Sequence, residues 1–152
     1  MPTPEDTRLL LDAMVGGIRT ILRMVGYDTA YALERGVEAD DAVKTLAESE
    51  GRVLLTRDVT LADRTDDAVL LHSKDADDQL AELAAAGFEL TLSEPRRCAA
   101  CNGALTELPD GAETPEDAPD PANRQCWRCR DCGQLFWKGS HWDDVADRIE
   151  RL

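Results

Sequence analysis

The sequence predicts an α/β chain in two parts: a parallel sheet covered by helices over residues 1–94, and a cysteine-bearing region over residues 95–152. Three observations point there. Short apolar runs alternate with apolar residues at helical spacing as far as Leu92, the signature of strand–helix–strand units. All five cysteines, Cys98, Cys101, Cys126, Cys129 and Cys132, come after that point. The length, 152 residues with 43% hydrophobic, suits a domain of about 100 residues plus a small appendage.

In order, Arg8 to Leu11 is a short apolar strand ending at Asp12. Met14, Ile18, Ile21, Leu22 and Val25 then recur at helical spacing, and Gly26 suits the helix C-cap. Thr29 to Ala32 forms a second strand. Asp40 is placed to cap a helix carrying Val43, Leu46 and Ala47, which Gly51 ends. Arg52 to Thr56 is the clearest strand, followed by Asp58. Ala68 to Leu71 is a further strand, Asp75 to Ala86 a helix carrying Leu80 and Leu83, and Phe88 to Leu92 a last strand. Within the second part, residues 107–120 hold six acids, three prolines and no base, which makes them a loop or disordered insertion. Asp143 to Leu152 closes the chain as a short helix.

Seventeen basic against 31 acidic side chains leave a net charge of −14, with only Lys44, Lys74 and Lys138 as lysines. Such a surface repels phosphate backbones at low salt. The acid-rich, lysine-poor composition fits a halophilic, salt-rich cytoplasm, where the Debye length shrinks to about 3 Å at 1 M. The polar start MPTPEDTR and the lack of any run of 18 apolar residues predict no leader, no membrane contact and a cytoplasmic protein.

In that compartment, paired cysteines point to metal rather than disulfides. Cys98-Ala-Ala-Cys101 and Cys129-Arg-Asp-Cys132 are two CxxC knuckles, and four thiolates at about 2.3 Å satisfy tetrahedral Zn²⁺. Gly103 and Gly133 stand where a knuckle turns. Cys126-Trp-Arg-Cys129 is also a CxxC, but Cys132-Gly133 follows the knuckle pattern, so Cys126 is left outside the shell. A closed four-thiolate site is structural and identifies no enzyme.

The ribbon is locally basic. Arg96, Arg97, Arg124, Arg128, Arg130 and Lys138 face a single acid, Asp131, across residues 96–106 and 121–142. Trp127, Phe136, Trp137 and Trp142 are interleaved with them, a mixture suited to stacking on bases and clamping phosphates, or simply to covering the metal. In the first part, Asp12 and Asp58 end strands and Asp40 begins a helix. Strand ends and helix starts converge on the ligand crevice of a parallel sheet, where neighbouring carboxylates need a cation or a proton between them. In a chain with 19 aspartates each is also an ordinary surface group, so position alone leaves both readings open.

Several stretches carry a resemblance. Asp12-Ala-Met-Val-Gly-Gly-Ile-Arg19, Leu22-Arg23-Met-Val-Gly-Tyr-Asp28, the helix from Asp40 to Gly51, Leu55-Thr56-Arg57-Asp58 and Gln79-Leu80 follow one another in order. Arg97-Cys98, Cys101-Asn102-Gly103 and Phe136-Trp137-Lys-Gly-Ser-His141-Trp142 continue the series. Together they resemble the PIN-like ribonuclease family named for the C-terminal RNase domain of the Mut-seven exonuclease. The resemblance implies a PIN-like three-layer α/β/α sandwich over 1–94 and a zinc ribbon over 95–152. It also implies a Mg²⁺- or Mn²⁺-dependent endoribonuclease acting on RNA. Asp12, Asp40 and Asp58 match the acidic positions of that pattern, whereas a fourth acid has no clear match among Asp63, Asp66 and Asp67. Cys126 and the 107–120 insertion depart from it.

The implied chemistry is hydrolysis of an RNA phosphodiester, with Asp12, Asp40 and Asp58 on Mg²⁺ or Mn²⁺. A two-metal path leaves a 5′-phosphate and a 3′-hydroxyl. Arg19 and Arg57 are candidates for holding the scissile phosphate, and Arg128 and Arg130 for contacting RNA from the ribbon. Readings of other kinds fit the residues too. One is a non-catalytic RNA-binding or ribosome-associated adaptor. Another is a toxin nuclease with an antitoxin partner.

Overall fold

The computed structural model describes residues 2–152. Four strands, β1 (Arg8–Leu11), β2 (Asp28–Tyr31), β3 (Arg52–Thr56) and β4 (Ala68–Leu70), pair in parallel in the order β2-β1-β3-β4. The register sets Leu10 beside Ala30 and Leu54, so the centre of the sheet is apolar throughout. Side chains alternate between its two faces. Leu9, Leu11 and Leu55 turn to one cluster, with Ile18, Leu22, Leu80 and Leu83, while Leu10 and Leu54 turn to another, with Val43, Ala47 and Leu61. The first cluster belongs to α1 (Arg19–Val25) and α4 (Ala76–Ala85), the second to α2 (Asp40–Ser49) and α3 (Val59–Arg64). A parallel sheet buried on both faces follows.

Several elements differ from the expectation. Asp12 is followed by a 3-10 helix, Ala13–Ile18, before α1 begins, and this turn leaves Met14 67% exposed rather than in the core. Gly26 does end α1, at φ 113°. Asp40 does not cap α2: Ala39 holds the cap position and Asp40 is the first helical residue. Helix α3 was not expected; its six residues bury only Leu61. Phe88 to Leu92 is not a strand. Its alternating Phe88, Leu90 and Leu92 pack on the core, but no strand among the described residues pairs with it, and the Glu89 amide donates to the Pro2 carbonyl instead.

A second, antiparallel sheet has the order β5-β6-β7, from Leu105–Glu107, Cys126–Cys129 and Leu135–Trp137. Residues 108–125 between β5 and β6 form no helix or strand. Helix α5 (Ser140–Glu150) starts three residues earlier than expected and returns to the first sheet. Val145 on it is 1% exposed and joins the first apolar cluster, with Trp142 and Ile149 beside it. No helix among the described residues is long and apolar enough to cross a membrane.

Candidate functional site

The parallel pairing of β1 and β3 brings their carboxyl ends together, and Asp12 still donates its amide to the Leu55 carbonyl at 3.0 Å. The Asp12 carboxylate is buried. Its Oδ1 accepts from the Ala13 amide at 2.8 Å and its Oδ2 from the Thr56 hydroxyl at 2.8 Å. Thr56 Oγ1 in turn accepts from the Asp58 amide at 3.0 Å. Asp58 caps α3, its Oδ1 accepting from Leu61 at 3.0 Å. One hydroxyl therefore ties the two aspartates together, and each bond that their carboxylates make, from Ala13, Thr56 and Leu61, is one they accept. The oxygens keep lone pairs for a hard cation, and one or two carboxylates with waters and substrate phosphate are what Mg²⁺ ordinarily takes.

Asp40 is exposed at the start of α2. Asp12, Asp40 and Asp58 do not gather within 4.8 Å; among the described residues the group that does is four thiols. Asp66 and Asp67 lie in the turn before β4, and Leu54 donates to the Asp67 carbonyl. Because β4 runs parallel to β3, that turn is at the opposite end of the strands from Asp12 and Asp58. Thr56 escaped the sequence reading; its signal was a polar residue ending the apolar run Val53-Leu54-Leu55.

Around this rim, Tyr31 donates its hydroxyl to the Ala13 carbonyl at 2.8 Å, and its ring lies against Gly16, where a Cβ would stand 2.4 Å from Tyr31 Cζ. Arg19 is occupied by the protein itself: it donates to the Gly16 carbonyl at 2.7 Å and sits 5.0 Å over the Tyr31 ring. Arg57, next to Asp58, has a buried Nε without a hydrogen-bond partner among the described residues.

The thiols of Cys98, Cys101, Cys129 and Cys132 all lie within 4.8 Å of one another, with Cys101–Cys129 at 3.5 Å and Cys98–Cys132 at 3.6 Å. Sulfurs at about 2.3 Å from a tetrahedral centre stand nearly this far apart, so the four could hold zinc. Burial works to raise the Cys129 thiol, but amide bonds from Cys132 and Asp131 and the thiols of Cys101 and Cys132 outweigh it and draw it down to about 7. Burial and the surrounding thiols push Cys101 up to about 12, a conflict that a single metal would resolve by taking all four as thiolates. A Cβ on Gly103 would meet Cys129 Sγ at 2.7 Å, so only glycine fits there. Cys126 stands apart, its Sγ against the Arg124 carbonyl at 3.4 Å. His141 is elsewhere, beside a small apolar cavity of about 50 Å³ lined by Met24, Phe136 and Trp142.

The ribbon's bases and aromatics part company. Trp127 is 3% exposed, and Trp142 packs on the core, so neither offers an open stacking face. Lys138 lies over both rings, 5.9 and 5.4 Å from their centroids. Arg96 pairs with Glu5, Arg97 with Asp28 and Lys138 with Glu94. Arg124, Arg128 and Arg130 are exposed, and none has an ion pair among the described residues.

The sequence model described as the Mut7-C RNAse domain matches residues 7–149, nearly the whole chain. No curated protein and no solved structure matches.

Proposed function

The chain belongs to the Mut7-C RNAse domain family, and on that premise we propose that it is a Mg²⁺- or Mn²⁺-dependent endoribonuclease acting at the rim that carries Asp12 and Asp58. The family gives RNA as the class of substrate. The observation that supports the site is the chain of hydrogen bonds from the Asp12 carboxylate through the Thr56 hydroxyl to the Asp58 amide, at one end of adjacent strands, with the Asp58 carboxylate held by the Leu61 amide.

When bound, a hard divalent cation supplies an acidified water and neutralises charge on phosphate oxygens. The protein's own groups do the rest. Asp12 and Asp58 would hold the ion, with Asp40 reaching it or a second one from the start of α2. Asp12 cannot turn without breaking its bond to Ala13 or Thr56, so its lone pairs stay where they are set. Arg57 adds positive charge beside Asp58 for the scissile phosphate, while Arg19 keeps Tyr31 and the Ala13–Gly16 turn in place. RNA would approach over Arg128 and Arg130. The four thiols would hold Zn²⁺ as a closed structural site that takes no part in hydrolysis.

Asp58→Asn tests this. Asparagine caps a helix as well as aspartate, so α3 keeps its start while the cation loses a charged ligand. Cleavage of RNA in Mn²⁺ should drop by orders of magnitude while RNA affinity holds or rises. Binding without Mn²⁺-dependent cleavage, in both dilute and molar KCl, with Asp58→Asn equal to wild type, would leave an RNA-binding adaptor instead.

A further inference from the structure

Strand β2 is an edge of the parallel sheet, and an edge strand turns one row of main-chain groups away from any partner strand. At Thr29, which is fully buried, those groups have no access to water and must find partners in the protein. They find two side chains. The Thr29 amide donates to Asn102 Oδ1 at 2.8 Å, and the Thr29 carbonyl accepts from Arg23 Nε at 3.0 Å.

Both partners lead to the first cysteine knuckle. Asn102 directly follows Cys101 and is the one non-glycine residue with positive φ, 71°, among the described residues. Asparagine is among the few side chains that tolerate that conformation. Its Nδ2 donates to Asp28 Oδ1 at 2.7 Å, so the carboxamide grips two consecutive residues of β2. Arg23, 1% exposed, continues from Thr29 to the Ala99 carbonyl inside the Cys98–Cys101 turn, at 3.2 Å. The knuckle thus stands where a fifth strand would.

We propose that Asn102 acts as a surrogate strand for β2, and that metal at the four thiols, by fixing the knuckle, fixes the edge of the sheet. This role of Asn102 and the metal holds whatever chemistry the rim performs. The metal site would then have a task besides closing the ribbon: β2 ends at Tyr31, whose hydroxyl holds the turn after Asp12, so order at the knuckle reaches that turn through four residues of strand.

The test is amide hydrogen exchange on the full chain loaded with zinc, compared with the same chain under a chelator and with Asn102→Gly. Glycine accepts φ 71° without strain, so the variant removes the carboxamide and leaves the backbone turn. It should still bind one zinc per chain, and its Thr29 amide should exchange at least about tenfold faster, while Leu10 and Leu54 in the central strands keep their rates. A Thr29 rate equal to wild type in Asn102→Gly overturns the surrogate strand. Chelation should speed Thr29 in wild type and add little in the variant. A Thr29 amide that stays protected in a chelated chain, with Leu10 and Leu54 also protected, overturns the role of the metal. Should Asn102→Gly fail to fold, chelation of the wild-type chain decides alone; should chelation unfold the wild type, the glycine variant decides.

Discussion

Thr56 and Asp12 meet across two adjacent strands through a hydroxyl-to-carboxylate hydrogen bond of 2.8 Å, with Thr56 fully buried. The same hydroxyl oxygen accepts the Asp58 amide. Valine has the shape of threonine without the oxygen. Thr56→Val should therefore strip Asp12 of a donor and Asp58 of an acceptor in one step. Unfolding in denaturant should show a loss of about 1–3 kcal/mol, and Mn²⁺-dependent cleavage should fall further than stability does. Thr56→Ser, which keeps the hydroxyl, should restore cleavage; an inactive serine variant would remove this bond from the account.

The zinc ligands separate by a simple exchange. Cys126→Ser should leave one zinc per chain, because its thiol faces the Arg124 carbonyl and not the other sulfurs. Cys129→Ser should abolish binding, since Cys129 is the sulfur on which the amides of Asp131 and Cys132 converge at 3.4 Å. Metal content after dialysis checks both, and zinc loss in the Cys126 variant would redraw the shell.

What could be read in advance follows from how locally each feature is encoded. Leu9 to Leu11 and Val53 to Leu55 are apolar on both faces because helices cover both sides, so the strands and their terminal aspartates stood out. The CxxC spacing is set by a turn within one knuckle, and it too is local. Helix α3 was invisible because six residues with one buried leucine carry no period. Phe88, Leu90 and Leu92 alternate like a strand because alternation reports one buried side, whether or not a partner strand exists. Asp40 has the right residue type for a cap, but the cap conformation falls one residue earlier, on Ala39. The pairing of Asn102 with Thr29 joins residues 73 apart, which no local pattern announces.

Glu50 should keep its charge further into acid than an ordinary carboxylate. Its carboxylate accepts from Arg35 at 3.0 and 3.2 Å and from Arg52 at 2.7 Å, and these bonds hold it down at about 2 against an ordinary 4.5. A carboxyl depressed in the folded state adds stability above its unfolded value and loses it as pH falls toward the folded one. Asp28 shifts the same way: burial opposes it, but Asn102 and Arg52 prevail. Glu50→Gln should thus cost most stability near pH 7 and progressively less from about pH 4.5 down to pH 2. Urea unfolding across that range, in molar KCl to screen the −14 charge, gives the comparison. A Glu50→Gln penalty that is constant with pH would show the ion pairs with Arg35 and Arg52 to be incidental.

The route of RNA can be traced through the arginines that the fold leaves uncommitted. Arg128 is exposed without an ion pair among the described residues, and Arg130 is exposed with only a bond to Thr106. Arg96, by contrast, already pairs with Glu5 at 2.7 Å. Counterion release gives about 0.7 in the slope of log K against log salt for each phosphate contacted on a single strand. Replacing Arg128 and Arg130 together by serine should lower that slope by about 1.4 if each meets one phosphate, whereas Arg96→Ser should change it little. The aromatic residues supply the control: Trp127 is buried, so the affinity left at high salt should not depend on stacking there. If the double variant keeps the wild-type slope while the intact chain still cleaves in Mn²⁺, RNA reaches Asp12 and Asp58 by another face. The ribbon would then serve only to hold the edge of the sheet through Asn102.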